Sequence, residues 1–379
     1  MENFSVFVLR IRVLKIMKKC AAPAGVLLLL TSCAQLGPVL VRAGRNDYNI
    51  VLQQTEDEEV ILNLVRVRYG DRPLFFDVSS VSTSFTWSQN ASASGTLLEY
   101  GGTELARNNL SVRGDLQYTE RPTITYTPLG GKDFVKSVLT PADLDTLILL
   151  SNSGWSIERL LRLMANRMNG LPNAPRASGP TPSDPPIYEK FCQAAKLMRQ
   201  LQKRGMLRLV YQQIEDEPIP VMVIDKDART FAETRTLKDL LGLAIEKDTF
   251  IIDVRGDRPR PESLGIDLRS LLGTFFFASH GVEVPANDLE MGRAMTTQDK
   301  SGKPFDWSLV VGDLVSIRSQ SKMPGNAQVA IKYRGSWFYI DDSDLNTKYS
   351  FLLLDQLAAL LGGKVEKAGP LLTLPVSAP

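Results

Sequence analysis

Three observations predict an α+β fold of mixed short strands and amphipathic helices. Apolar residues recur at helical spacing in several stretches, most clearly in residues 187–204, where they form one stripe. Alternation of polar and apolar residues in 123–127 is typical of a strand. The chain has 379 residues, of which 44% are hydrophobic and 23% charged, the usual balance of a globular protein. That length can bury one large core or two moderate ones, so a single domain and two subdomains are both compatible with it.

Composition divides the chain into six consecutive segments. They are a leader (1–32), a tether (33–46), an N-terminal α+β region (47–170), a proline-rich segment (171–186), a C-terminal α+β region (187–363) and a tail (364–379). The proline-rich segment contains six prolines and few apolar side chains of other types. This composition fits either an interdomain linker or a long surface loop within one domain.

Local patterns predict the order of elements within the two α+β regions. Thr55 and Glu58 form a capping box, which predicts that a helix begins at Thr55. Residues 89–102 are rich in Ser, Ala, Asn and Gly and predict a loop or a hairpin excursion. Near the C-terminus, a meander of strands is predicted in 314–340, with a tight turn at Arg334-Gly335.

The last predicted helix, residues 349–361, is apolar on nearly all sides. Such a helix is buried on most of its surface, either as a central core helix or partly by another chain. Leu353 and Leu357 are the partner-binding candidates in the second case. Trp337 and Tyr339 are candidates for the same role, because alternate residues of a strand lie on one face.

The excess of positive charge is concentrated at the beginning of the chain. Five basic residues and one acidic residue, Glu2, precede Cys33, which gives the leader a charge of +4 in a chain of net charge +2. The remainder is therefore slightly acidic, with a net charge of −2. Nucleic acid is not an expected partner, because its binding needs a basic excess on one face.

An apolar run at residues 21–30 follows the basic residues and ends in Leu30-Thr31-Ser32-Cys33. It is too short to span a hydrocarbon core of about 30 Å and has the layout of a secretory signal. The four-residue motif resembles the lipobox of bacterial lipoprotein precursors. The resemblance implies cleavage before Cys33, acylation of Cys33 and anchoring in membrane lipid. Ala34, where an aspartate retains family members at the inner membrane, implies sorting to the outer membrane.

Histidine and cysteine, two residue types that often carry enzyme chemistry, are scarce. The chain has one histidine and three cysteines, of which Cys20 leaves with the leader and Cys33 is the predicted acylation site. Cys192 is left as a small apolar residue on a helix. His280 is predicted to end a helix, where a positive charge interacts favourably with the dipole. No catalytic residue, metal site or cofactor is predicted, and the sequence favours a binding protein over an enzyme.

Two acidic groups keep an alternative open, a carboxylate-dependent envelope hydrolase. Asp253 and Asp257 lie among arginines, which also fits a self-neutralising surface loop. Asp341 and Asp342 follow a predicted strand and precede the last helix, which also fits helix capping. A third possibility is a lipoprotein that binds a small ligand in an apolar pocket lined by aromatic residues.

Two stretches of the mature chain, 63–80 and 329–351, resemble a group of uncharacterised bacterial envelope lipoproteins. This resemblance implies a lipid-anchored protein and no particular activity. The tetrapeptide Gly-Asp-Arg-Pro occurs twice, at 70–73 and 256–259, and indicates a repeated turn rather than a repeated domain. The expected function is that of an accessory or scaffolding subunit of an envelope assembly, held by membrane lipid at Cys33 and bound to an envelope protein.

Overall fold

The computed structural model describes the backbone of residues 36–96, 109–180, 185–214, 216–362 and 372–375. Within these, it describes the side chains of 48–76, 129–180, 185–214 and 216–361. The leader, Cys33 and most of the tail lie outside the described residues. The chain divides into two compact units, Met1–Glu59 and Val60–Pro379. In the described part of the chain, no helix is both long enough and apolar enough to cross a membrane.

The predicted α+β class is confirmed by the helices and sheets of the described residues. The α-helices are α1 (Leu36–Arg68), α2 (Gly131–Leu139), α3 (Leu144–Asn152), α4 (Ile157–Met164), α5 (Glu189–Lys203), α6 (Ala232–Leu241), α7 (Leu271–Ser279), α8 (Ala286–Glu290), α9 (Ser308–Val311) and α10 (Leu345–Gly362). The strands are β1 (Phe75–Thr96), β2 (Asn109–Leu129), β3 (Ala165–Met168), β4 (Leu171–Pro172), β5 (Leu207–Ile214), β6 (Glu217–Ile224), β7 (Thr249–Asp253), β8 (Ser263–Leu268), β9 (Arg318–Gln320), β10 (Ala327–Tyr333), β11 (Ser336–Asp341) and β12 (Leu372–Pro375). Short 3-10 helices span Pro175–Ser178 and Lys226–Thr230.

A six-stranded sheet joins the two predicted α+β regions. Its strand order is β4-β3-β8-β7-β6-β5, and all neighbours are antiparallel except β7 and β8. Strand β3 precedes the proline-rich segment in the chain, whereas its neighbour β8 lies in the C-terminal region. Strands on both sides of residues 171–186 thus belong to one sheet, which favours the surface-loop interpretation of that segment over a linker.

The connection between β7 and β8 is unusually short for parallel neighbours. Residues 254–262 make it without a helix, whereas such crossovers normally need a dozen or more residues. A Cβ atom on Gly256 would lie 2.6 Å from the backbone nitrogen of Asp267. A Cβ atom on Gly265 would overlap the carbonyl oxygen of Arg255. Glycine at both positions therefore permits the connection to cross directly over β8.

The described residues also form two three-stranded sheets. In one, β1 pairs antiparallel with β2 from Phe75↔Leu129 to Thr96↔Asn109. Strand β12 pairs antiparallel with β2 near its C-terminal end, from Leu372↔Tyr126 to Pro375↔Thr123. Strands β1 and β2, of 22 and 21 residues, exceed the usual strand length of about 3–10 residues. Of the two interpretations of residues 89–102, a loop or a hairpin excursion, the described part fits the hairpin, because β1 continues to Thr96 in register with the antiparallel strand β2.

The second three-stranded sheet has the order β10-β11-β9 and confirms the predicted meander. Arg334 and Gly335 connect β10 to β11 with positive φ values of 46° and 91°. Both values suit the tight turns that join antiparallel strands, and the predicted turn is confirmed. Helix α10 follows β11, and Asp344 caps its first turn by accepting a hydrogen bond from the Thr347 backbone N–H at 3.1 Å.

Helix α5 matches its sequence pattern closely. It buries the five residues of the predicted apolar stripe: Phe191, Ala194, Ala195, Met198 and Leu201. By contrast, the predicted helix start at Thr55 is wrong, because α1 begins at Leu36. The Thr55 hydroxyl donates a hydrogen bond to the Leu52 carbonyl oxygen one turn earlier, which is a common bond of a threonine inside a helix.

Candidate functional site

A cavity of about 390 Å³ lies against the proline-rich segment. Its volume is within the range of small-molecule sites, about 300–1,000 Å³. Proline rings, the Trp307 indole, Ile187 and two arginines, Arg167 and Arg176, contribute to its lining. Trp307 is only 8% exposed, and its Nε1–H donates a hydrogen bond to Thr297 Oγ1 at 3.1 Å. The cavity therefore combines apolar rings with guanidinium groups.

A fully buried arginine, Arg269, holds one wall of this cavity. Its guanidinium donates hydrogen bonds to the carbonyl oxygens of Ala165, at 2.5 Å, and Asn173, and to Ser178 Oγ at 2.7 Å. It also lies 4.0 Å from the centre of the Phe277 ring. Burial lowers the pKa of Arg269 to about 9, so the group stays protonated at neutral pH. Because Asn173 and Ser178 flank the lining residues of the 3-10 helix, Arg269 fixes that wall.

A smaller cavity, of about 190 Å³, lies where α1 and α7 end. Arg68 and His280 are among its lining residues. The His280 ring stacks on the Trp307 indole, with ring centres 3.8 Å apart and planes 11° apart. Trp307 lines the larger cavity and His280 the smaller one, so this stacked pair contributes a wall to each.

His280 ends helix α7, as predicted, but it carries no charge at neutral pH. Burial, together with the positive charges of Arg68 and Arg269, lowers the pKa of His280 to about 3. The expectation that a charged His280 stabilises the helix dipole is therefore wrong. The physical reason is that desolvation and two nearby cations oppose the imidazolium form more strongly than the helix end favours it.

The carboxylates after β7 have arginine partners. Asp253 accepts a hydrogen bond from Arg260 Nη1 at 2.9 Å and a second from the Arg255 backbone N–H at 2.8 Å. Asp257 is exposed and lies 3.7 Å from Arg260 Nη2. The aspartates and arginines of this loop therefore pair with one another, which fits the self-neutralising surface loop that the alternating charges indicated.

The carboxylates after β11 belong to a different sheet and organise a helix start. Asp341 accepts hydrogen bonds from the Ser343 hydroxyl at 2.6 Å and from the Ser343 backbone N–H at 3.0 Å. Hydrogen bonding to Ser343 lowers the pKa of Asp341. Asp342 forms an ion pair with Lys348 at 2.6 Å. The two acidic pairs on which the hydrolase alternative depends, Asp253 with Asp257 and Asp341 with Asp342, thus each contact residues of their own local segment.

The predicted partner-binding residues divide into two kinds. Leu353 and Leu357 are 0% and 1% exposed within this chain's own core, so they are not available to another chain. Their assignment to a partner is corrected, because α10 packs this face against its own fold. Trp337 and Tyr339 are half-buried, on the face of β11 opposite to the buried Phe338, and they keep part of their surface accessible.

Cys33, the predicted acylation site, lies outside the described residues, so lipid attachment stays a prediction. Cys192 is a half-buried free cysteine on α5, and burial raises the pKa of its thiol. Among the residues with described side chains, no group of three or more His, Cys, Asp or Glu residues could hold a metal ion.

Sequence reasoning missed the roles of Arg269, Trp307 and Arg68. Arg269 lies between Leu268 and an apolar helix, and a cation in such surroundings is the one signal that could have identified it. The cavities themselves depend on contacts between distant segments, which local patterns do not report. Comparisons with protein-family models, curated proteins and solved structures gave no match.

Proposed function

We propose that this protein is a lipid-anchored subunit of a bacterial envelope assembly that acts by binding, and that the larger cavity receives part of an envelope protein partner. The motif that ends at Cys33 supports the anchor. The cavity of about 390 Å³ is the observation that carries the binding role. Concave surfaces of this size, apolar with a few polar groups, are the common form of a binding site.

The lining indicates the chemistry of the bound group. The proline rings and the Trp307 indole offer apolar surface, and Arg167 adds a guanidinium group to the same cavity. Guanidinium groups recognise carboxylates and phosphates through paired hydrogen bonds. The complementary partner segment therefore has an apolar side chain next to an acidic one. The cavity volume also favours a second candidate function, the binding of a free small molecule of the same chemistry.

Affinity purification from detergent-solubilised native membranes tests both parts of the proposal. The wild type is compared with Cys33→Ala and with Ile187→Asp, which places a charge on a cavity residue that is 67% exposed. Met323→Asp is the matched control, because Met323 is 70% exposed and is not a lining residue of the cavity. Mass spectrometry identifies co-purified proteins and small molecules.

We expect the wild type and Met323→Asp to enrich the same envelope proteins, and Ile187→Asp to lose them. We expect Cys33→Ala to leave the membrane fraction. Enrichment of a small molecule instead of a protein would select the second candidate. An unchanged partner set with Ile187→Asp would remove the cavity from the proposal, and a processed, membrane-bound Cys33→Ala protein would remove the lipid anchor.

A further inference from the structure

The hairpin of β1 and β2 extends well beyond the third strand of its sheet. Strand β12 pairs only with residues 123–126 of β2. Among the described residues, 83–96 and 109–122 therefore pair only with each other. At about 3.4 Å per residue, this two-stranded ribbon is about 45 Å long. Two strands alone are marginally stable in water, so a ribbon of this length is expected to have a further neighbour.

The two outer edges of the ribbon differ in sequence. Edge strands that stay unpaired usually carry charges, prolines or bulges, which prevent pairing with another chain. The β2 part of the ribbon has such residues, namely Arg113, Asp115, Glu120, Arg121 and Pro122.

The edge of β1 has almost none of this protection. Residues 78–96 contain no charged residue and no proline. The register shift between Val78 and Ser80 lies at the base of the hairpin, and the pairing from Ser80 to Thr96 is regular. The β1 edge of the ribbon is therefore the one that is open to a further strand.

The β1 sequence is suited to pairing with a copy of itself. Alternate residues of a strand lie on opposite faces of a sheet. From Ser80 to Thr96, the positions of one face are all serine or threonine except for Asn90. The positions of the other face include Phe85 and Trp87. An antiparallel β1 strand from a second copy matches both faces at once, with hydroxyl residues beside hydroxyl residues and apolar residues beside apolar residues, and such cross-strand pairs stabilise a sheet.

We propose that the edge of β1 is a dimer interface, at which β1 pairs antiparallel with β1 of a second copy of this chain. The pairing produces a continuous sheet of order β2-β1-β1-β2, and each copy supplies the neighbour that the ribbon of the other copy lacks. A two-fold interface that uses the same surface of both subunits is the commonest form of homo-oligomer. Pairing of β1 with β2 of the second copy is disfavoured by the charged residues of β2 and by Pro122, which has no N–H to donate.

The dimer interface is separate from the features that carry the proposed function. It involves neither Cys33 nor the lining residues of the larger cavity. Failure of the partner-binding proposal would therefore leave the dimer unaffected, and a monomer would leave the partner-binding proposal unaffected.

Native mass spectrometry and analytical ultracentrifugation of the full chain in mild detergent, over a range of protein concentrations, measure the number of copies. Two matched variants differ only in the strand that carries added charge. Ser88→Lys/Ser94→Lys changes β1, and Gln117→Lys/Ser111→Lys changes the residues that pair with these two in β2. Both variants gain the same charge on the same face of the ribbon, but only the first brings like charges together across the proposed interface.

We expect the wild type and the β2 variant to form dimers, and the β1 variant to dimerise at least about tenfold more weakly. Hydrogen exchange locates the interface in the wild type. We expect the amides of residues 83–96 to exchange more slowly at the concentrations at which the dimer forms, because the outer edge of β1 then gains hydrogen-bond partners.

A wild type that stays monomeric at all concentrations would overturn the proposal. Association without slower exchange in 83–96, or association into open-ended aggregates, would also overturn it. Equal weakening by the two variants would place β2 in the interface and overturn the two-fold pairing. A thermal unfolding curve accompanies each variant, and the wild-type mass and exchange measurements decide the question by themselves if a variant does not fold.

Discussion

The two Gly-Asp-Arg-Pro turns have the same sequence but need their glycine for different reasons. Gly70 follows α1 with a φ of +74°, and no atom lies within 4 Å of the place that a Cβ would occupy. Gly256 is buried, and its Cβ would lie 2.6 Å from the Asp267 backbone nitrogen. The first turn requires a backbone angle and the second requires space. A short motif therefore does not fix the physical demand on its residues, because the surroundings decide it.

The aspartates of the two turns differ in the same way. Asp71 accepts hydrogen bonds from the Tyr333 hydroxyl at 2.5 Å and from Arg334 Nη2 at 2.8 Å, which ties the first turn to the β10–β11 turn. Asp257 has a side chain that is 65% exposed and belongs to a surface charge cluster. The first aspartate joins two distant segments, whereas the second pairs only with neighbours in its own loop.

The glycines give the largest expected contrast. Gly256→Ala forces backbone atoms of β8 and of the crossover apart, and we expect it to lower the free energy of unfolding by about 3 kcal/mol. Gly70→Ala introduces only a left-handed alanine, at about 1 kcal/mol. Urea unfolding followed by circular dichroism measures both. Equal losses would show that the two turns make the same demand on their glycine.

Asp71→Asn is expected to have an intermediate effect, about 1 kcal/mol at neutral pH, because Asp71 is partly exposed. Burial acts to raise the pKa of Asp71, but the hydrogen bonds from Tyr333 and Arg334 outweigh it and lower the pKa. The contribution of this carboxylate is therefore present at neutral pH and is lost as the pH falls through its folded-state pKa. Unfolding measured between neutral and acid pH should show wild type and variant converging below about pH 4. A difference that stays constant over this range would contradict the assignment.

Asp257→Asn gives the smallest expected effect. The carboxylate is exposed and its ion-pair distances to Arg260 and Arg258 are 3.7 and 3.9 Å, so we expect a change below about 0.5 kcal/mol. The same urea series measures it, with added salt as the control for screening. A loss as large as that of Asp71→Asn would mean that the second turn has an electrostatic role after all.

The sequence predicted the elements that depend on local patterns. The apolar stripe of α5 and the Arg334-Gly335 turn follow from periodicity and from backbone preference, and both are observed. The crossover between β7 and β8 could not be predicted, because a nine-residue connection without a helix contradicts the usual rule and depends on glycines brought together by folding. The candidate site could be predicted less well, as Leu353 and Leu357 show. A helix that is apolar on nearly all sides must be buried, but its sequence does not indicate whether its own chain or another chain buries it.

The pairing of β3 with β8 has a consequence for how the protein is made. Met168 of β3 pairs with Ile266 of β8. During synthesis β3 is therefore made long before the strand with which it pairs. A polypeptide that has emerged only as far as the proline-rich segment has β3 but not the neighbour that completes its hydrogen bonds. Contacts of such long sequence separation slow folding. Truncation at that segment should therefore yield an aggregation-prone fragment rather than an independent half.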